Sequence, residues 1–190
     1  TSAEKSELPK CLDSVLDDSC SIDERMMLEG VVYHGSEKIQ MNIALNDVII
    51  ARAGFSRLVE LKIYVNGELL SIYNADGIIV STPTGSTGYS LSAGGPIIFP
   101  QTDVIVITPI CPHSLFSRSI LYAPDEVFTV TGKHINNSEI LYMSVDGEER
   151  IRIDSEDAII VSKDEQYVKF ISFGSKSYYE KLNKKILGRG

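Results

Sequence analysis

Apolar and polar residues alternate from Val59 to Val65: Val59, Leu61, Ile63 and Val65 are apolar, and Glu60, Lys62 and Tyr64 stand between them. Successive side chains of a strand point to opposite faces, so this period of two predicts a half-buried strand. Asn66-Gly67 follows, and extended sequence resumes over Glu68 to Tyr73. Both central residues of a type I′ turn need positive φ, which makes Asn-Gly between such runs a hairpin signal. Upstream, Met26 to His34 and Ile39 to Ala51 read as extended, rich in Val and Ile and broken at His34-Gly35-Ser36. Gly77 to Ser81 is a short continuous apolar strand, and Val104 to Thr108 is another, ending at Pro109. Val127 to Val130, Ile140 to Val145, Arg150 to Ile153, Ala158 to Ser162 and Tyr167 to Phe173 continue the series, with Asp146-Gly147 as a second hairpin turn.

The period changes near the two ends. Residues 1–24 set Leu12, Val15 and Leu16 among Lys, Glu, Asp and Ser, which predicts a short helix or a linker, with Pro9 fitting its start and Ser21 a later cap. Ser177 to Leu187 carries Tyr178, Leu182 and Ile186 four apart, and its lysine-rich last turn suits the helix dipole. The expected fold is mainly β. It is a two-layer antiparallel β-sandwich with a short helix after a Gly/Ser/Thr-rich loop and a second helix near the C-terminus. No domain boundary is expected after residue 24.

Composition narrows the function classes. With 43% apolar and 23% charged residues among 190, the chain is of ordinary globular make-up. No run approaches the roughly 18 apolar residues of a membrane span, and Thr1 to Lys10 holds no apolar signal core. The formal charge is −8, so nucleic acid and anionic membranes are not expected partners. Three cysteines, Cys11, Cys20 and Cys111, lack metal-ligand spacing, which fits a reducing cytoplasm. The chain opens on Thr1, and its first strand begins only near Arg25. Residues 1–24 are therefore expected to be a linker, or the tail of a preceding domain.

The densest chemistry lies in Ser81-Thr-Pro-Thr-Gly-Ser-Thr-Gly-Tyr-Ser-Leu-Ser-Ala-Gly-Gly-Pro96. Glycines let backbone approach a ligand closely, and hydroxyls with free N–H groups at a helix start hold phosphate or sugar oxygens. An irregular loop leading into a capped helix explains the same residues. The segment is neither a Walker A motif nor G-x-G-x-x-G, because Gly85 and Gly88 are three apart and no Gly-Lys-Ser/Thr follows.

Asp76 to Ile97 resembles the hallmark segment of the NAD kinase family. Ala44-Leu-Asn-Asp-Val48 is similar to that family's Asn-acidic motif, and Thr108 to Arg118 and Ser144-Val-Asp-Gly147 match in the expected order. The resemblance runs from about Arg25 to near the end. It implies a C-terminal, NAD-binding domain, residues 25–190, of an enzyme that transfers a phosphoryl group from ATP or polyphosphate to the adenosine ribose 2′-hydroxyl of NAD, giving NADP. Mg²⁺ or another divalent metal would accompany the donor, and a homodimer or homotetramer is implied. The family's Gly-Gly-Asp-Gly-Thr motif, whose Asp is taken as the base, is not in this sequence, where Gly94-Gly95 leads into Pro96. No catalytic residue is assigned here, and these residues alone are expected to be inactive. A lipid kinase of the diacylglycerol or sphingosine type and a non-catalytic dinucleotide-binding module are the competing expectations.

The same resemblance implies roles for single residues. Asn46 and Asp47 would meet ribose hydroxyls, a carboxylate being able to accept from both members of a diol; a polar pair satisfied by backbone is the plainer alternative. Asp47 stands where family members often carry Glu. Asp76 would accept from a carboxamide or exocyclic amine, although it also fits a turn before Gly77. Tyr89 would stack on a base, supported by Thr87, Gly88, Ser90, Leu91 and Ser92, or else be a core aromatic. Arg57 is either a pyrophosphate or ribose contact or a solvated charge. Asn74 takes a place often held by a basic residue. Glu148 takes one often held by Gln. Asp146-Gly147 reads first as a structural turn. Cys111 and His113 are too few for a zinc site.

Overall fold

The computed structural model describes residues 5–53, 59–114, 117–133, 141–148 and 150–173, with Tyr178, Glu180, Leu182 and Asn183. The elements in chain order are α1 (Leu8–Leu16), β1 (Ser21–His34), β2 (Glu37–Ala44), β3 (Asp47–Arg52), β4 (Val59–Val65), β5 (Glu68–Ala75), β6 (Gly77–Ser81), α2 (Tyr89–Ser92), β7 (Ile105–Ile110), β8 (Ile120–Tyr122), β9 (Phe128–Lys133), β10 (Leu141–Val145), β11 (Arg150–Ile153) and β12 (Asp157–Ser172). They build two six-stranded sheets, ordered β2-β1-β12-β9-β4-β5 and β11-β10-β3-β6-β7-β8.

The larger compact unit is Arg25–Val168. The alternation over β4 is realised, with Val59, Leu61 and Ile63 fully buried. They join Leu28, Phe128, Val130 and Val161 of their own sheet and Val48, Ile50, Ile78, Val80, Ile107 and Met143 of the other in one apolar cluster. Facing residues of two sheets thus interdigitate in a single core, as a sandwich requires. Strand β6 is buried at all five positions. Ile78 and Val80 enter the shared core, while α2, in the segment that follows β6, packs back upon the strand. Cover on both faces explains why this strand shows no alternation in sequence.

Both predicted tight turns have the positive φ values they need, at Asn66 (50°) and Gly67 (85°) and at Asp146 (51°) and Gly147 (75°). Asn66 also accepts the Val127 N–H at 3.0 Å and donates to Glu126.

Several elements differ from the sequence expectation. Strand β1 starts at Ser21, expected as a helix cap, and not near Arg25, because Ser21 already pairs with the far end of β12; and β8 has no counterpart among the expected strands. The run Ile39 to Ala51 is two strands in different sheets, since β2 ends at Ala44 and β3 starts at Asp47. The two runs expected at Ala158 to Ser162 and Tyr167 to Phe173 are one strand, β12, continuous through Asp164, whose carboxylate accepts the Gln166 N–H at 2.7 Å. Strand β7 continues through Pro109 to Ile110. Its last pair with β8 is Ile107↔Ile120, so proline sits beyond the neighbour whose ladder it would interrupt.

The smaller unit comprises residues 1–24 and 169–190. It holds α1, with Pro9 in its first turn, and the outer ends of β1 and β12. Ser21 donates its hydroxyl to the Ser172 carbonyl at 3.2 Å, and Glu24 pairs with Lys169 at 3.3 Å. The helix expected over Ser177 to Leu187 falls mostly outside the described residues; Tyr178, Glu180, Leu182 and Asn183 are helical. No helix among the described residues is long and apolar enough to cross a membrane.

Candidate functional site

Strand β6 delivers Ser81 opposite Asp47 of β3, and the glycine- and hydroxyl-rich loop starts there. Thr82 is fully buried and ties the loop to the Leu45-Asn46 crossing between the sheets. Its hydroxyl donates to the Leu45 carbonyl at 2.6 Å, and its N–H donates to the Asn46 carbonyl at 2.9 Å. The same hydroxyl accepts the Gly85 N–H at 3.1 Å. Gly85 opens a 3₁₀ turn, Gly85–Thr87, pressed flat on that crossing. An added Cβ would lie 2.0 Å from the Asn46 carbonyl oxygen. Ser86 donates to the Pro83 carbonyl at 2.7 Å and accepts the Ile98 N–H at 3.1 Å, fixing the far end of the segment to its beginning.

The other side of the crossing is held by Asp146. Its carboxylate accepts the N–H groups of Leu45 (2.8 Å), Asn46 (2.7 Å) and Asp47 (3.0 Å), and its own N–H donates to the Asp47 carbonyl at 3.0 Å. Asp47 is only 4% exposed, and among the described residues its carboxylate receives no hydrogen bond. Burial first, and the Asp146 charge second, push its pKa from 3.8 up to about 6.

The predicted site residues fall into two groups. Asn46, Asp47, Thr87, Gly88 and Tyr89 gather at the Ser81 end of β6. Gly88 is exposed, and Tyr89, first residue of α2, presents a ring 48% exposed. Leu91 is half-buried and Ser92 exposed. Ser90 is fully buried, its hydroxyl 3.0 Å from that of Thr108. Its side chain therefore braces α2 on β7 and presents nothing to a solute. Asp76 and exposed Asn74 lie at the opposite end of β6, on the order of 15 Å away at about 3.3 Å per strand residue. Glu148 is exposed just past the Asp146-Gly147 turn. Arg57 lies outside the described residues.

Several contributors were not singled out from sequence. Arg52 holds Asp76 in an ion pair, Nε to Oδ1 at 2.8 Å, so one oxygen of that carboxylate is already engaged. A charge closing an otherwise apolar strand was the available signal. Arg25 donates to the Thr84 hydroxyl at 3.3 Å. Thr82 looked like one hydroxyl among many, and Asp146 like a turn residue. Among the described residues no three His, Cys, Asp or Glu converge as a metal cage.

The family model described as the ATP-NAD kinase C-terminal domain matches residues 45–173, beginning at the crossing itself. The chain belongs to the NAD kinase family. An NAD kinase of Lachnospira eligens is 42% identical over 197 residues, covering 98% of this chain and 67% of that protein. One of Natranaerobius thermophilus is 43% identical over 185 residues, covering 97% of this chain and 64% of the relative. The chain thus spans about two thirds of the length of the curated relatives it matches. Among solved structures, yeast NADH kinase complexed with NADH aligns with a TM-score of 0.87 at 29% identity, over 96% of this chain and 53% of that one. An NAD kinase from Archaeoglobus fulgidus in complex with ATP aligns with a TM-score of 0.80 over 100% of this chain and 70% of that one; at 21% identity it speaks for the fold alone.

Proposed function

We propose that this chain is the dinucleotide-binding part of a cytoplasmic NAD kinase, which transfers a phosphoryl group from ATP or polyphosphate to the adenosine ribose 2′-hydroxyl of NAD to give NADP. The observation that carries this is the crossing clamped at Leu45-Asn46, which sets the nearly buried Asp47 carboxylate next to Gly88 of a glycine-lined loop that leads into exposed Tyr89. A carboxylate to which none of the described residues donates is suited to a sugar diol. An aromatic face at the start of a helical turn is suited to a base. Asn46, Asp47, Thr87, Gly88, Tyr89 and Ser92 are the proposed contacts near the ribose and one base, with Asp76 and Asn74 toward the other end of an extended dinucleotide. Residues 1–24 belong on this reading to the border of a preceding α/β domain, which supplies the base. Phosphoryl transfer rests mainly on positioning and charge stabilisation, so a domain that only orients the acceptor hydroxyl contributes to rate. A divalent cation would travel with the donor's phosphates, and the described residues assign it no protein cage. A homo-oligomer is proposed from the family resemblance.

Titration calorimetry of the 190-residue chain with NAD, NADP and a diacylglycerol micelle tests this directly. Binding of NAD or NADP and none of lipid is the expected result; lipid binding alone would move the protein to the lipid-kinase class. Tyr89→Ala should weaken NAD binding by roughly 5- to 150-fold, the range of about 1–3 kcal/mol for a base stacked on an aromatic ring. Its melting temperature should hold within a degree or two, because the ring is half exposed. A collapsed melt would return Tyr89 to a structural role. No phosphorylation of NAD is expected from these residues alone, and a measured turnover would place the base inside them.

A further inference from the structure

The N–H groups of Leu45, Asn46 and Asp47 converge on one point, the Asp146 carboxylate, at 2.8, 2.7 and 3.0 Å. Three successive N–H groups aimed at one anion form a concave cradle of the kind that elsewhere binds phosphate. Here the chain fills it with its own side chain. The carbonyls on the same stretch turn the other way: those of Leu45 and Asn46 are both taken by Thr82. The crossing between the sheets is therefore held on its N–H side by the β10–β11 turn and on its C=O side by the start of the nucleotide loop. We infer that Asp146 is a positioning residue for the dinucleotide site: by gathering the N–H groups of residues 45–47 it fixes where Asn46 and Asp47 present their side chains.

This rests on the dinucleotide reading above, and it adds a role that neither the turn geometry nor the family match contains. A turn residue with φ of 51° needs only tolerance of that conformation, which Asn and Gly share. Nothing in the turn requires a carboxylate. The length and charge of aspartate are explained by the three donors it collects, since hydrogen bonds to an ionised acceptor are the strong ones. Both Asn46 and Asp47 donate to Oδ1, and Leu45 alone donates to Oδ2. An asparagine with its oxygen in the Oδ1 place would keep two of the three and lose the third.

These geometries fix an order of effects. Asp146→Gly removes the carboxylate while easing the turn. Asp146→Asn keeps the turn and most of the cradle. Amide hydrogen exchange of residues 45–47, measured with NAD titration on the same chains, separates positioning from turn stability. For Asp146→Gly we expect exchange at those three amides to speed by at least tenfold, NAD dissociation constants to rise at least tenfold, and exchange in the β4–β5 hairpin to stay as in wild type. Asp146→Asn should show fast exchange at Leu45 only and a rise in dissociation constant of a few fold. If exchange at residues 45–47 is unchanged in Asp146→Gly, or if that variant binds NAD as wild type does, the inference is overturned. A wild-type chain that binds no NAD would overturn the dinucleotide reading and the site role with it, while the exchange data would still decide whether Asp146 holds the crossing.

Discussion

Gly85→Ala should destabilise the protein by about 3 kcal/mol or more and abolish measurable NAD binding. The added methyl would sit 2.0 Å from the Asn46 carbonyl oxygen and 2.5 Å from its carbonyl carbon. Both are backbone atoms, held by Thr82 and by Asp146, so no flexible side chain can swing aside. Overpacking a well-packed site typically costs about 1–3 kcal/mol, and more where the neighbour is fixed. The collision pushes on the residue whose side chain is proposed to meet the ribose, so stability and binding should fall together. Urea unfolding reads the first as a lower midpoint at constant slope, and calorimetry reads the second. An alanine variant with a wild-type midpoint would mean that the loop does not rest on the crossing as described.

Asp47→Asn should act in opposite directions on the two properties, stabilising the fold at neutral pH and cutting NAD affinity by about 100-fold. Wild-type Asp47 has its pKa raised from 3.8 to about 6, chiefly by burial and then by the Asp146 charge. The folded protein holds this proton more tightly than the unfolded chain. Stability is therefore full below about pH 4, declines as pH climbs through the interval up to about 6, and remains reduced above it. At about 1.4 kcal/mol per pH unit, less the screening available to a carboxylate beside exposed Gly88, the loss at pH 7 is roughly 2 kcal/mol. Asparagine carries no charge to bury, so the variant-minus-wild-type difference should be near zero at pH 4 and grow to that size by pH 7. A difference that is flat with pH would mean that Asp47 is not strained by its surroundings. Strain of this sort recurs where a group is kept for function rather than for stability.

The strands were legible wherever one face met solvent, because burial of alternate residues writes itself into sequence, as at Val59 to Val65. The two Xaa-Gly turns were legible because only positive φ explains them. The division at Leu45-Asn46 was not, since both flanks are apolar and extended, and what separates them is hydrogen bonding to Thr82 and Asp146, distant in sequence by 37 and 101 residues. Strand β8, only three residues long, carries no period to detect. The glycine- and hydroxyl-rich loop announced itself by composition, yet composition could not tell its roles apart. Ser86 and Ser90 are buried braces, Thr87 is half-buried with its hydroxyl donated to the Thr84 carbonyl at 3.5 Å, and Ser92 is exposed. Which hydroxyl does which depends on the 3₁₀ turn and on Thr108 of β7, neither of which is local information.

The smaller unit carries a consequence for biogenesis. Ser21 meets Ser172 across 151 positions, and Glu24 meets Lys169 beside it. A ribosome adding about 5–20 residues per second needs on the order of 8 to 30 s to make the second partner after the first. Throughout that interval Ser21 and Glu24 of the nascent polypeptide must wait unmatched, which leaves this stretch of β1 open to a chaperone.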